Sequence, residues 1–389
     1  MRIQSITASY FKSLIDFKLD LAKFTCLIGL NGAGKSTVLQ FIDFLARQVR
    51  GDLRGWLEER HWKPRDLNSR LTPRKNIVFR VSLVSDTGES RGSWRGTFNT
   101  SQLHCTSERI ETPEASLEVQ NGHLRILGLA DRGPNGRDAV SEPIAFSYEG
   151  SVLSQLRDKA LPPSLVGFKE YVASIKSLDL LSPEYLRQRT RESDGSIGLG
   201  GQRLSAFLHE LGHEGRDRLR KRLRKVYPHL KGLETSALRS GWKQLEIREG
   251  YSGTKLVTEA RHVNDGLLRL LAILAELQSD HHRFLLFDEI ENGMNPELIE
   301  FVIDALTSCK QQVMVTTHSP MILNYLEDDM ARAGVMYLYK TEEGCTRAIP
   351  FFSIPSVAKK LTVMGPGEAF VDTNLTALGE EIKVVTEGE

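Results

Sequence analysis

The hydrophobic pattern of this chain changes period several times, and each change predicts a different element. Phe24-Thr25-Cys26-Leu27-Ile28 is a short, almost wholly apolar run, the pattern of a strand buried on both faces. After a glycine-rich gap, Val38, Leu39, Phe41, Ile42 and Leu45 recur at helical spacing. From Ile77 to about Val152 the period falls to two. Ile77, Phe79, Val81 and Leu83 alternate with polar residues, and Asp86-Thr87-Gly88 and Asn121-Gly122 punctuate the run, which predicts an antiparallel sheet on the flank of the core. Residues 153 to 232 read as helical, with Leu204, Leu208 and Leu211 on one stripe and Leu219, Leu223 and Val226 on another. Lys243 to Val263 returns to strands. A strongly apolar helix follows, carrying Leu267, Leu268, Leu270, Leu271, Ile273, Leu274 and Leu277. The runs Phe284 to Phe287 and Val313 to Val315 are too short for helices and read as central parallel strands. The whole order predicts an α/β fold. There are no internal repeats and no sustained heptads, so the helical stretch reads as a compact lobe.

Chemistry enters at the glycine-rich gap. Gly29-Leu30-Asn31-Gly32-Ala33-Gly34-Lys35-Ser36-Thr37 fits G-x-x-x-x-G-K-[ST] between a strand and a helix. Glycines let backbone N–H groups approach phosphate oxygens, and the helix N-terminus adds its positive dipole end. The segment from Asn31 to Thr37, with Gly32, Ala33 and Gly34 at its centre, is therefore expected to cradle a nucleoside triphosphate. Lys35 is placed to neutralise its β- and γ-phosphates, and Ser36 to offer a hydroxyl to Mg2+. Downstream, the run ending at Phe287 delivers Asp288 and Glu289 to a strand's C-terminal end, where open α/β sheets put ligand chemistry. Asp288 suits a Mg2+ held through water, and Glu289 a water polarised for attack on the γ-phosphate. His318, just past Val313 to Val315, can sense that phosphate. Asn264-Asp265-Gly266, opening the apolar helix, is a second phosphate-facing arrangement.

Taken together, Gly29 to Thr37, Asn264 to Gly266, Leu285 to Glu289 and His318 resemble the core of ABC-type ATPases. Ile3 to Ile6, Tyr10 to Leu14, Asp288 to Pro296 and Thr317-His318-Ser319-Pro320 resemble, within it, the RecF-like and overcoming-lysogenization-defect (OLD) ATPases. The resemblance covers residues 1 to about 50 and about 235 to 350. It implies a P-loop NTPase core of ABC type with a flanking antiparallel β-subdomain and an inserted helical lobe. Residues 1–152 would form the N-terminal half of the core with the β-subdomain, 153–232 the lobe, 233–370 the C-terminal half and 371–389 a tail. It also implies ATP and Mg2+ as ligands and a head-to-tail homodimer. In that dimer Lys35 and Ser36 of one chain face Asn264, Asp265 and Gly266 of the other across composite ATP sites. Antiphage defence or DNA repair is the setting it suggests. Two positions depart from the family pattern: Asn264 stands where the signature usually has serine, and Asn295 where the acidic loop often has histidine. Gln188 and Gln202 are both candidates for the family's glutamine switch.

Composition narrows the setting. The 389 residues carry a net charge of +1, so nucleic-acid binding has to come from local patches. No apolar run reaches the ~18 residues a membrane span needs, residues 1 to 20 carry charges throughout, and Cys26, Cys105, Cys309 and Cys345 are scattered. A cytoplasmic protein with reduced thiols and no membrane partner is expected.

Two local motifs need weighing. His209-Glu210-Leu211-Gly212-His213 fits H-E-x-x-H, but Gly212 weakens the helix that would align two imidazoles for zinc, and a polar helix end is expected instead. Arg216 to Lys225 holds seven basic residues in ten. Its Arg218, Lys221, Arg222 and Lys225 are candidates for contact with DNA or RNA, or with an acidic protein surface. No nuclease constellation is present. Ile382 to Glu389 resembles the opening strand and Glu-Gly of a Toprim nuclease domain; the resemblance implies a nuclease that has been lost, truncated or supplied by another polypeptide, and a separate nuclease or effector protein is a candidate partner. An ATP-gated scaffold and an ABC transporter energiser are the competing classes.

Overall fold

The computed structural model describes residues 1–128, 141–178, 182–379 and 381–382. The chain divides into two compact units, Met1–Lys176 with Ala333–Ser353, and Ser177–Arg332 with Ile354–Glu389. Its first stretch runs β1 (Arg2–Ser9), β2 (Phe17–Asp20), β3 (Phe24–Ile28), α1 (Lys35–Arg50), α2 (Leu53–Glu59), β4 (Asn76–Val84), β5 (Ser90–Asn99), β6 (His104–Glu111), β7 (Ala115–Gln120), β8 (His123–Gly128), β9 (Glu142–Pro143), α3 (Pro163–Ala173) and β10 (Ile175–Leu178). The middle holds α4 (Pro183–Leu186), α5 (Leu204–Glu210), α6 (Gly212–Leu223), β11 (Leu230–Ala237), β12 (Lys243–Tyr251), β13 (Thr254–Glu259), α7 (Asp265–Leu277), β14 (Phe284–Phe287), α8 (Pro296–Thr307), β15 (Gln312–Thr316), α9 (Pro320–Asn324) and α10 (Asp328–Gly334). The end holds β16 (Val335–Lys340), β17 (Thr346–Pro350), α11 (Pro355–Lys360) and α12 (Pro366–Val371).

In the first unit, eight strands form an antiparallel sheet in the order β2-β1-β4-β5-β6-β7-β8-β9. The period-two pattern works as the pleat requires: Ile77, Phe79, Val81, Leu83, Trp94, Phe98, Ile110 and Leu117 are all buried on one face. Helix α1 packs its aromatic stripe against that sheet, with Phe44 edge-on to Phe98 at 4.9 Å and Phe41 edge-on to Phe11 at 5.3 Å. Phe44 is fully buried, so Phe44→Ala would cost roughly 3–5 kcal/mol. Helix α2 is tied to α1 through Asp43, which is fully buried and accepts from Trp56 Nε1 at 2.6 Å and Arg60 Nη2 at 3.1 Å. Beside these, β3 pairs parallel with β16, which pairs antiparallel with β17. Every residue of β3 is buried, as its uninterrupted apolar run requires.

The second unit holds β14 and β15 as a parallel pair, Leu285 opposite Val313 and Phe287 opposite Val315, both buried along their length. Strands β11, β12 and β13 form a separate antiparallel ribbon. Helix α7 is buried over most of its surface, which explains a leucine density too high for a surface helix.

Residues 153 to 232 contain α3, α4, α5 and α6, together with β10, whose four residues are buried. Such a short segment offers too few positions to separate a period of 2 from one of 3.6. Leu211 does not join the stripe of Leu204 and Leu208 as a core residue. Helix α5 stops at Glu210, and Gly212 at φ +68° turns the chain into α6. Among the described residues no helix is long and apolar enough to cross a membrane, and none of the four cysteines is in a disulfide.

Candidate nucleotide site

The first unit supplies the phosphate loop. β3 delivers the chain to Gly29, and α1 begins at Lys35. Gly29, Gly32 and Gly34 have φ of +143°, +79° and +108°, where a side chain is strained. Two of them are also forced by packing. A Cβ on Gly29 would lie 2.3 Å from the Leu338 carbonyl oxygen, and one on Gly34 would lie 2.4 Å from Thr346 Oγ1. Gly32 meets nothing within 4 Å and is the glycine that faces open space. Thr346 braces the back of the loop. Its hydroxyl donates to the Ala33 carbonyl at 3.0 Å and lies 2.8 Å from Ser13 Oγ.

The loop fits a triphosphate. Helix α1 has no acidic residue in its first turn, so its N-terminal dipole is left for an anion. Lys35 is 6% exposed and folds its ammonium onto the loop, donating to the carbonyls of Gly29 at 2.8 Å and Leu30 at 3.2 Å. Asn31 and Gly32 are exposed, Ala33 is buried, and Ser36 and Thr37 are partly exposed. The hydroxyls of Ser36 and Thr37 are of the hard-donor kind that suits a cation such as Mg2+.

The second unit carries an acidic pair at a strand end. Asp288 and Glu289 follow β14 directly, and both are organised by Thr316 at the end of β15. The Thr316 hydroxyl donates to Asp288 Oδ1 and accepts from the Glu289 N–H at 2.8 Å. Glu289 sits at φ +46°, a left-handed conformation that costs a non-glycine residue roughly 1–2 kcal/mol. Its carboxylate accepts from Asn292 Nδ2 at 2.8 Å. Arg269 donates to the Asn292 carbonyl at 2.6 Å; burial lowers its pKa, and the charges of Glu289, Glu291 and Asp265 oppose that shift. Glu291 Oε1 accepts from the backbone N–H of His318 at 2.7 Å, which ties the acidic loop to the segment after β15. The His318 side chain itself is exposed.

Asn264 caps α7, its Oδ1 accepting from Leu267 N–H at 2.8 Å. Asp265 pairs with Arg187, which also donates to the Val263 carbonyl at 2.9 Å. Asn264, Asp265 and Gly266 line a cavity of about 490 Å3 together with Tyr227, Gly293 and Asn295. The second unit thus gathers the α7 N-terminus beside the loop that follows Glu289, and joins Asp288, Glu289 and His318 through Thr316 and Glu291. Sequence reasoning did not find Thr316, Asn292, Arg187, Tyr227 or Thr346 as partners. The runs containing Thr316 and Asn292 are visible in the sequence, but hydrogen-bonding roles set by tertiary contact have no spacing signal. Of the switch candidates, Gln202 turns back on its own loop, accepting from Gly200 N–H at 3.0 Å, and the Gln188 carbonyl accepts from Ser205 Oγ at 3.2 Å.

His209 and Glu210 have other partners: His209 Nδ1 lies 3.0 Å from Thr235 Oγ1, and Glu210 binds the Ser193 hydroxyl and N–H. Along α6 and its C-terminal turn, Arg218 and Lys225 are exposed and Arg222 half-buried, while Lys221 pairs with Asp217 at 3.1 Å. The Toprim-like stretch lies outside the described residues beyond Ile382.

These features agree with the comparisons. The family profile described as "AAA domain, putative AbiEii toxin, Type IV TA system" matches residues 24–324. An Smc head crystallised with the C-winged helix domain of ScpA is similar at a TM-score of 0.55 and 14% identity, over 90% of this chain and 98% of that one. An Smc head with an extended coiled coil derived from Pyrococcus furiosus gives 0.48 and 13%, over 92% and 99%. The Smc head from Thermotoga maritima gives 0.45 and 13%, over 90% and 99%. No curated protein sequence matches the chain. The chain belongs to the AAA-domain family of that description, and its fold is α/β with a P-loop ATPase core of the ABC-like kind found in Smc heads.

Proposed function

We propose that this chain is a Mg2+-dependent ATPase of ABC/OLD type. Its head-to-tail homodimer closes on ATP and opens after hydrolysis. That cycle couples sensing of nucleic acid or a partner protein to control of an effector, such as a separate nuclease, in antiphage defence or DNA repair. The observation that carries the reading is Glu289, held in a strained backbone conformation by the same threonine that orients Asp288. Strain of this kind is maintained where a side chain has to be aimed.

Lys35 leaves the Gly29 and Leu30 carbonyls to neutralise the β- and γ-phosphates. Ser36 would hold Mg2+ directly and Asp288 would hold it through water. Bound Mg2+ neutralises charge on the phosphate oxygens. Glu289 takes a proton from the water that attacks the γ-phosphorus, the bond from that phosphorus to the β–γ bridging oxygen breaks and ADP leaves, and His318 contacts the γ-phosphate. Asn264, Asp265 and Gly266 of a second copy close over the same phosphate. The family description names a toxin–antitoxin system, and the Smc head neighbour carries a bound winged-helix domain; both support a role controlled through partners.

A second reading is an ATP-gated scaffold with slow hydrolysis. It is favoured by Asn264, whose Oδ1 is committed to the α7 cap. ATP hydrolysis by wild type and Glu289→Gln, with and without duplex DNA, separates the two. Turnover that depends on Glu289 and rises with DNA supports the coupled ATPase. ATP binding without turnover supports the scaffold, and absence of ATP binding removes both.

A further inference from the structure

The outer face of the eight-stranded sheet carries a row of like charge. Strand register sets Arg80 opposite Arg95 and Arg95 opposite Arg109. The row continues through Thr7 to Lys18 on one side and through Glu118 to Arg125 on the other. Residues directly opposite in an antiparallel pair have Cβ atoms only ~5 Å apart, and like charges there destabilise the sheet. The carboxylates on this face lie off the centre of the row, and only the charge of Glu111 reaches Arg95, without an ion pair. Glu111 and Glu118 gather on Arg109 at 2.6 and 3.7 Å, and Asp20 lies 3.6 Å from Lys18. Among the described residues Arg80 and Arg95 make no ion pair, and both are exposed. Hydroxyls flank them: Thr7 opposite Arg80, and Ser82 opposite Ser93 two residues along.

Where β4 begins and β5 ends, a cavity of about 580 Å3 is lined by Lys63, Arg65, Arg74 and Lys75 with no carboxylate among its lining residues. Arg74 is held over the Tyr10 ring at 5.1 Å. Arg80 lies four residues into β4 from Asn76, ~13 Å along the strand. A single small anion cannot span cations spread over that distance. A polyanion can, and guanidinium, ammonium and hydroxyl donors suit phosphate oxygens.

We infer that this sheet face and the cavity at its end bind the sugar–phosphate backbone of nucleic acid, with Arg80 and Arg95 on the backbone and Lys63, Arg65, Arg74 and Lys75 extending the track. The inference rests on the nucleic-acid branch of the function proposed above and names its contact surface. It places that surface on the sheet rather than on α6.

The test is fluorescence anisotropy of the full chain with ATP and Mg2+, using labelled duplex DNA, single-stranded DNA and duplex RNA over a salt series. The proteins compared are wild type, Arg80→Ala/Arg95→Ala and Arg218→Ala/Arg222→Ala, each checked for folding by thermal melting. The expected result is binding weakened about tenfold in the sheet variant. Its log–log salt slope should fall by ~1.8, the value for two lost phosphate contacts. Wild-type affinity and slope in the sheet variant, with a loss in the α6 variant, overturns the sheet surface and leaves nucleic-acid binding standing. No binding by wild type to any of the three probes overturns both. Competition by polyglutamate as strong as by unlabelled DNA would assign the row to an acidic protein and overturn the inference.

Discussion

Asn292 donates its side-chain amide to Glu289 Oε2 at 2.8 Å, three residues away across a turn closed by the Asn292 N–H to Glu289 carbonyl bond at 3.0 Å. The carboxylate proposed as base is therefore aimed from below by its own loop. A left-handed backbone would otherwise leave it with several staggered directions. Asn292→Ala is expected to lower kcat about tenfold, ~1.4 kcal/mol of transition-state stabilisation, with KM for ATP unchanged. A change in KM alone would show that Asn292 positions nucleotide rather than Glu289.

The three glycines of the phosphate loop should separate by experiment. Gly34→Ala puts a methyl 2.4 Å from Thr346 Oγ1 at φ +108°, so it is expected to lower Tm without nucleotide and to weaken ATP binding. Gly32→Ala meets open space and carries only the backbone penalty, roughly 1–2 kcal/mol, yet it is expected to abolish ATP binding because its methyl stands where phosphate is proposed to sit. Thermal melting with and without ATP distinguishes the two. Equal ATP-induced shifts in Gly32→Ala and wild type would exclude this loop as the phosphate cradle.

Acid stability should report the link between α1 and α2. Burial raises the Asp43 pKa, but the guanidinium groups of Arg47, Arg60 and Arg50 and the Trp56 N–H outweigh it, leaving the carboxyl below its ordinary 3.8. A depressed folded pKa contributes stability that is complete above the unfolded value and is lost as pH falls through the folded one. The wild-type curve should therefore drop below about pH 4. Asp43→Asn should flatten that limb while costing roughly 3–5 kcal/mol at pH 7, because Arg60 loses its buried anion and Arg47 keeps only Asp52. Glu108 acts in the opposite sense. Burial raises its carboxyl above the ordinary 4.5 despite bonds from Ser151, Val152 N–H and Trp94, so its contribution fades as pH rises from 4.5 through that higher value. Chemical denaturation of wild type and Asp43→Asn across pH isolates the first limb. Parallel curves would remove Asp43 from the account.

Removing charge from the centre of the sheet row should stabilise the folded chain. Arg95 stands between Arg80 and Arg109, and a threonine there keeps β propensity while relieving two like-charge contacts. Arg95→Thr is expected to gain about 0.2–1 kcal/mol per relieved pair, read as a rise in Tm that shrinks with added salt. A fall in Tm would mean that Arg95 has a structural partner.

The sequence discloses elements buried on both faces or strictly alternating. Phe24 to Ile28 and Phe284 to Phe287 read as central strands because each is a short, wholly apolar run too brief for a buried helix such as α7. The sheet from Ile77 onward follows from its period. Pairing is what single-chain pattern cannot supply. The Arg80, Arg95 and Arg109 row depends on register, including irregularities between Leu83 and Val84 and between Thr97 and Phe98. Thr316 reads as one more β-branched strand residue until β15 lies beside β14 and its hydroxyl meets both acidic residues. Arg187 lies 78 residues from Asp265, with no motif between them to suggest that one holds the other.

That last pairing carries a prediction about assembly. Asp265 opens α7, where a carboxylate is favoured by the helix dipole, yet it also turns toward Arg187, whose guanidinium is anchored on the Val263 carbonyl at 2.9 Å. Arg187 thereby holds Val263 and Asp265, the residues on either side of the cap residue Asn264. If this edge closes over the nucleotide of a second copy, its rigidity should matter to dimer closure and not to nucleotide capture by Lys35 in the first unit. Glu289→Gln with ATP is expected to accumulate as a dimer in light scattering. Adding Arg187→Ala should return it to monomer while ATP binding, measured by a labelled analogue, stays within about twofold. Arg187→Lys should restore the dimer only in part, because an ammonium cannot bond Asp265 and the Val263 carbonyl in the same planar fork. Loss of ATP binding together with the dimer would show that Arg187 supports the fold at large, and a stable dimer in Arg187→Ala would remove the α7 edge from the interface.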